Sequence, residues 1–468
     1  MKILISIVLM IVTFSSNAQR VNQKHNKLVI SADKRYLQYE DGQPFFWLGD
    51  TGWLLFTQLT KEQIQQYLKD RHKKGFNVVQ VMIIHEMPEV NIYGEYAFNN
   101  NDFTSPKLTN RNSSSDEVEH NYWNLIDFAV DEAFKNNIYL AMVPVWGNIV
   151  KKKMFNVLNA STYITWLANR YKNKPNIIWM NGGDVKGSIN EKVFNIVGST
   201  FKSIDSNHLV TYHPFGRTSS ADWFHTATWL DFNMVQSGHK DYTQDSVGAD
   251  NWKLINDGFN KIPTKPIIDG EPSYEGIPHG LHDTTLPYWN ADDVRRYAYW
   301  SVFSGSFGHT YGNNSIMQFY HQSSKLKAYG VKKYWQEAIE DSGSNQMQYL
   351  KNLILSRDFY SRTPAQNVIV GNNQKQYEHL VATKGKDFIM IYTYTGKPFT
   401  INTSVLKCKA LNQYWYNPKN GHVTFIGKIQ NHLKPRVIIP PGNAKEGNDW
   451  VLVLDNALSN YPMPGIIN

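Results

Sequence analysis

Two carboxylates stand out as the groups with which this chain could do chemistry. Asp184 closes the run Ile-Ile-Trp-Met-Asn-Gly-Gly-Asp over residues 177–184, and Glu271 closes Pro-Ile-Ile-Asp-Gly-Glu over residues 266–271. A short apolar run that ends in glycine and an acid reads as a buried parallel strand. Its carboxylate is delivered to the strand's carboxyl end, where parallel α/β folds build their sites. Paired carboxylates so placed suit glycosidic bond hydrolysis, one protonated to donate to the leaving oxygen and the other ionised to attack or to activate water. The reading assigns Asp184 as general acid/base and Glu271 as nucleophile. It implies retention of configuration and carboxyl groups about 5 to 5.5 Å apart. Asp184 could instead cap the following helix. Asp269, which shares the pleat phase of Glu271, and the more distant Glu275 compete for the nucleophile's role.

Other strand ends offer groups that could hold a hydroxylated ligand: Asp50, His85, Glu86, Trp146, Asn181, His213, Gln236, His239 and Tyr311. An aromatic face such as Trp146 suits a sugar ring, and a carboxylate such as Asp50 suits paired hydroxyls. For His213 and Tyr311 a place in the core competes with a ligand contact. His85-Glu86-Met87-Pro88-Glu89 begins like a zinc-protease motif but has Glu where the second His is required, and its proline breaks the helix that would present both ligands. His279 and His282 sit on a glycine-bearing loop with Asp283 and lack a third partner. Phosphate loops, dinucleotide fingerprints and nucleophile elbows do not occur in the sequence, and neither a metal nor a cofactor is expected.

The elements needed to position these residues follow from the pattern. Apolar runs at 45–50, 78–84, 139–146, 177–184, 209–213, 232–237, 266–271 and 308–312 read as strands. Helical spacing fills the intervals, as at Thr60 to Lys74, which opens with a Thr-x-x-Gln capping box. Eight strands with helices between them over about 270 residues define an α/β fold, the (β/α)8 TIM barrel. Residues 19–360 form this barrel, led by a hairpin over 35–46. Residues 368–468 alternate in hydrophobicity between turn signals and read as a small antiparallel β-sandwich. No flexible linker separates the two, so the sandwich should pack on the barrel.

Residues 1–18 read as a signal peptide, with Lys2, an apolar core and Ser16-Asn17-Ala18 at the cleavage site, which predicts export to a periplasm or the exterior. The single cysteine, Cys408, excludes an intramolecular disulfide framework. A net charge of +8 is spread along the chain, with Lys151-Lys152-Lys153 the longest basic run. That footprint is too small for nucleic acid, and no membrane insertion is expected after leader cleavage. It would suit acidic polysaccharides.

With these motifs in place the chain resembles the apiosidase-like glycoside hydrolases, glycoside hydrolase family 140. The resemblance lies in Trp47-Leu-Gly-Asp50-Thr51, in Trp179 to Asp184, in Asp269-Gly-Glu271-Pro272, and in Asp293 to Asn314. Gln413 to Pro418 and Asp449 to Asp455 resemble a domain named for collagen binding by a collagenase. The resemblance implies an exo-acting enzyme that removes a terminal sugar, apiose, from pectic side chains, with its catalytic aspartate and glutamate at Asp184 and Glu271. Many related retaining barrels place Asn directly before a glutamate acid/base. Here Gly183 precedes an aspartate and Asn181 lies three residues back. The alternatives are a non-catalytic carbohydrate or collagen adhesin and an endo-glycanase on a hexose polymer. An exo-enzyme predicts a closed pocket, with walls from Pro278 to Thr284 and Gly308 to Asn314.

Overall fold

The computed structural model describes residues 27–467 apart from 111, 326, 372, 374, 432 and 433, so the expected leader at 1–18 lies outside the described residues. Eight strands curl into the barrel: β1 (Trp47–Thr51), β2 (Val78–Met82), β3 (Tyr139–Val143), β4 (Ile177–Gly182), β5 (Val210–His213), β6 (Asn233–Gln236), β7 (Ile267–Asp269) and β8 (Gly308–Thr310). One parallel ladder runs β8-β1-β2-β3-β4-β5, and β6 pairs in parallel with β7. Backbone bonds join the ring at its two seams. Asp231 N–H donates to Val210 O at 2.9 Å, and Phe307 N–H donates to Ile267 O at 3.1 Å.

Side-chain alternation sorts each strand between two cores. Val79, Val81, Leu140, Met142, Ile177, Trp179, Val210 and Tyr212 pack beneath the surrounding helices. Val78, Met82, Ala141, Val143, Ile178 and Met180 fill the barrel interior. Gln80 and His213 share the interior phase. Gln80 Nε2 crosses the barrel to donate to Gly270 O at 2.7 Å, just before Glu271. The helices follow the sequence signals. Lys61–Lys73 carries the full capping box at Thr60, and Ala291–Phe303 is capped by Asn290 with Asp293 in the reciprocal position. The N-terminal hairpin, Leu37–Tyr39 with Pro44–Phe45, gains a third strand from Leu28–Ile30.

The C-terminal part is an antiparallel sheet built from β9 (Val381–Lys384), β10 (Phe388–Thr393), β11 (Ala410–Tyr416), β12 (Val423–Gln430) and β13 (Trp450–Asn456), with Thr363–Pro364 at its edge. A two-stranded sheet, Phe399–Ile401 with Arg436–Ile438, forms the second layer of this small antiparallel sandwich. Period-2 alternation gives the main sheet two apolar faces. Met390, Tyr392, Val451 and Val453 pack on the barrel with Tyr299 and Trp300, whereas Ile389, Ile391, Leu452 and Leu454 meet Phe399 and Ile401. Tyr299 and Tyr392 stack at 4.7 Å, and Arg295 grips Asp449 through two bonds of 2.6 and 2.7 Å. The sheet is thus seated firmly against the barrel, as the missing linker predicts. Among the described residues no helix is long and apolar enough to cross a membrane.

Candidate active site

The chain at the end of β4 turns through three consecutive left-handed residues, Gly182 (φ +88°), Gly183 (φ +107°) and Asp184 (φ +52°). Glycine meets this requirement without strain, and aspartate is among the side chains that tolerate it. A Cβ on Gly183 would lie 2.5 Å from the Trp146 ring, so the indole can lie close against the main chain only because the residue is glycine. The turn aims Asp184 into a cavity of about 600 Å³ at the barrel mouth, which Glu271 and Trp146 also line.

Glu271 is buried and held by two histidines. His239 Nε2 bonds its Oε1 at 3.1 Å, and His213 Nε2 stands 3.0 Å from Oε2 in a bent approach. The Tyr274 hydroxyl faces the same carboxylate. Burial would push the Glu271 carboxyl up, but the hydrogen-bonding contacts of His213 and His239 outweigh it and bring it down to about 2. Asp184 goes the other way. Burial raises it to about 6, the Glu271 charge adds to the rise, and His213, the Gln236 amide and His239 oppose it. One cavity therefore holds an ionised carboxylate beside a carboxyl that keeps its proton in mildly acidic water, the division of labour a glycosidase requires.

Of the remaining candidates, His85, Trp146, Gln236 and His239 line the cavity. His213 does not. It is fully buried behind the pair and serves Glu271 rather than the ligand. Asp50 is also misplaced by the sequence reading. Its side chain turns to the helix layer, where Tyr67 Oη donates to it at 2.7 Å and Arg71 Nε lies at 3.4 Å. Glu86 points to solvent, while Glu89 accepts the backbone N–H groups of His85 and Glu86. Asn181 has the outward pleat phase and donates to Phe194 O at 2.8 Å. Tyr311 donates to Glu275 at 2.6 Å, which removes both from the cavity. Asp269 is bound to Ser237 at 2.7 Å and to Asn251 at 3.1 Å beneath the helices. Because β7 ends at Asp269, strict alternation no longer governs Glu271, and the two acids diverge despite their even spacing.

His279 stacks on Trp289 at 3.7 Å and bonds Asp241, whereas His282 turns to the cavity. Among the described residues no group of three His, Cys, Asp or Glu is arranged to hold a metal ion. The expected wall at 278–284 contributes Gly280, Leu281 and His282, but the second wall comes from Met317, Gln318, Ala328 and Tyr329 rather than 308–314. Sequence reasoning missed Trp53, whose ring lies 5.3 Å from those of both Trp146 and His213, and the cavity cations Arg217 and Lys240. It also missed Tyr274. The available signals were Trp53 just beyond β1, and Gly312, where a Cβ would sit 2.1 Å from the Tyr274 ring.

Residues 31–361 match the family model of the apiosidase-like catalytic domain, and residues 363–455 match the collagen-binding-2 domain, described after a collagenase. A solved structure described as a glycoside hydrolase is 43% identical, covering 94% of this chain and 98% of its own, with a TM-score of 0.89. A second, a glycoside hydrolase family 5 protein from Bacteroides vulgatus, is 41% identical, covering 95% and 96%, with a TM-score of 0.90. A search of curated proteins finds no match.

Proposed function

Since this chain belongs to the apiosidase-like glycoside hydrolases, we propose that it is a retaining, exo-acting enzyme that releases a terminal sugar, apiose, from pectic side chains outside the cytoplasm. The observation that carries the mechanism is the convergence of Asp184 and Glu271 on one cavity, with the Glu271 carboxylate alone contacted by His239 and His213, an arrangement that raises the first carboxyl and lowers the second. In the first step the Glu271 carboxylate attacks the anomeric carbon as Asp184 gives its proton to the departing glycosidic oxygen, forming a glycosyl ester on Glu271. In the second, Asp184, now a carboxylate, takes a proton from water as that water attacks the same carbon and frees Glu271.

The walls around Leu281 and Tyr329 favour a short terminal saccharide over a long threaded chain. Lys240 and Arg217, the latter paired with Asp245 at 2.6 Å, line the same cavity and would suit an acidic sugar, in keeping with a pectic substrate. The C-terminal sheet supports the barrel, since one face is committed to it. Export rests on the leader-like residues 1–18.

The test is incubation with rhamnogalacturonan oligosaccharides, following free monosaccharides by chromatography and the first-formed anomer by NMR. Apiose released with retention by the wild type, and lost in folded Asp184→Ala and Glu271→Ala proteins, supports the proposal. Another sugar revises specificity, an inverted anomer overturns the covalent step, and release that survives both substitutions overturns the assignment.

A further inference from the structure

We infer that His213 is a positioning residue that ties the two carboxylates into one unit, its imidazole bridging the main chain of the acid and the carboxylate of the nucleophile. The inference rests on the roles proposed above for Asp184 and Glu271. His213 ends β5, is fully buried and takes no part in the cavity wall. Two successive N–H groups of the turn after β4 go to this one residue. Gly183 N–H donates to His213 O at 3.0 Å, and Asp184 N–H donates to His213 Nδ1 at 3.3 Å. The other ring nitrogen, Nε2, stands 3.0 Å from Glu271 Oε2 in a bent approach, and neither atom has another hydrogen-bond partner among the described residues.

A neutral imidazole has one donor and one acceptor nitrogen. A ring that accepts at Nδ1 carries its proton on Nε2, facing the nucleophile, so the acid's own backbone selects the tautomer that the nucleophile needs. The ring is confined by Trp53 at 5.3 Å and Trp146 at 5.7 Å. Asp184 sits in the left-handed region, which a side-chain-bearing residue occupies at some cost, and the His213 acceptor is one of the contacts holding it there. His239 covers the other oxygen of Glu271, leaving the link between the two halves of the site to His213.

Two substitutions separate the arms of the bridge. In His213→Asn the side-chain oxygen can replace Nδ1 as acceptor for Asp184 N–H but nothing reaches Glu271. In His213→Gln the amide N–H can replace Nε2 toward Glu271 but Asp184 N–H loses its acceptor. Nitrogen-15 NMR of the wild-type imidazole should show the Nε2–H tautomer. Carbon-13 NMR of the Glu271 carboxyl should show its titration midpoint raised by about one unit in His213→Asn and unmoved in His213→Gln. On aryl apiosides, His213→Gln should lose about tenfold more activity with phenyl than with 2,4-dinitrophenyl as leaving group, because only the former needs the acid. An Nδ1–H tautomer in the wild type overturns the bridge. So does an unmoved Glu271 midpoint in folded His213→Asn, or an equal loss on both leaving groups in His213→Gln. If the variants do not fold, the wild-type tautomer decides. The NMR readings need no substrate, so wild-type failure to cleave apiosides would count against the proposed function alone.

Discussion

Hydrolysis should follow a bell-shaped pH profile of kcat/KM whose acid limb belongs to Glu271, at about 2, and whose alkaline limb belongs to Asp184, at about 6. In the proposed mechanism the productive form has Glu271 ionised and Asp184 protonated, so the optimum should lie near pH ~4, midway between the limbs. Asp184 is raised from an ordinary 3.8. A rise of about two units favours the protonated form by ~3 kcal/mol, through burial first and the Glu271 charge second. At pH 7 roughly a tenth of the molecules should retain the proton, and the rate should fall about tenfold per unit beyond that. The assay is kcat/KM across pH with a poor leaving group, repeated on Asp184→Ala with 2,4-dinitrophenyl as leaving group, where the alkaline limb should vanish. An alkaline limb near 4 in the wild type, or one near 6 that persists without Asp184, would refute the reasoning. The same rise makes a stability prediction. The folded state binds this proton more tightly than the unfolded state, so Asp184 weakens the fold above pH ~6 and the penalty fades as pH falls toward 4. Asp184→Asn should therefore melt at higher temperature than the wild type at pH 7, by ~1–3 kcal/mol of added stability, while losing activity. Glu271 has the opposite sign, its stabilisation present above about 4.5 and lost toward 2.

Gly183→Ala should lower kcat by about 100-fold with the circular dichroism spectrum preserved, because its Cβ would be driven into Trp146 and shift Asp184; near-normal turnover would show that the turn tolerates the change. Asp50→Asn should destabilise the protein by ~1–3 kcal/mol in denaturant titration, since it removes one of the two carboxylates facing the buried Arg71 and leaves Asp70 at 3.2 Å, yet leave KM of the folded enzyme unchanged. A raised KM at normal stability would return Asp50 to the substrate. Arg295→Met should cost ~3 kcal/mol by removing the buried cation from Asp449, which keeps the Tyr392 hydroxyl at 3.1 Å as a buried donor, and should expose the chain between 355 and 363 to limited proteolysis, and resistance equal to the wild type would show that apolar packing alone holds the sheet.

That Asp184 and Glu271 reach the barrel mouth was legible because each closes a short, mainly apolar run, and a parallel strand buried on both faces leaves few other readings of such a pattern. The eight strands were legible for the same reason, and the capping box at Thr60 marked its helix as the local chemistry requires. Asp50 shows where this stops. A carboxylate at a strand end can face the mouth or the helices, and Arg71, contributed by the next helix, decides the matter. Tyr311 and Glu275 satisfy one another in the same way, as does Asn181 with the main chain at Phe194. Asp269 and Glu271 looked equivalent because alternation was extended past the end of β7, where the ladder no longer enforces it.

What the chain determines locally is therefore the periodicity, the caps, the strand-ending acids and the glycines that permit the turn before Asp184. Only the tertiary structure decides which acids are paired off in the core and which remain in the cavity. It also decides that two histidines from β5 and the segment after β6 converge on Glu271. Protonation follows from that convergence, since burial and neighbouring charge act through space between residues far apart in sequence.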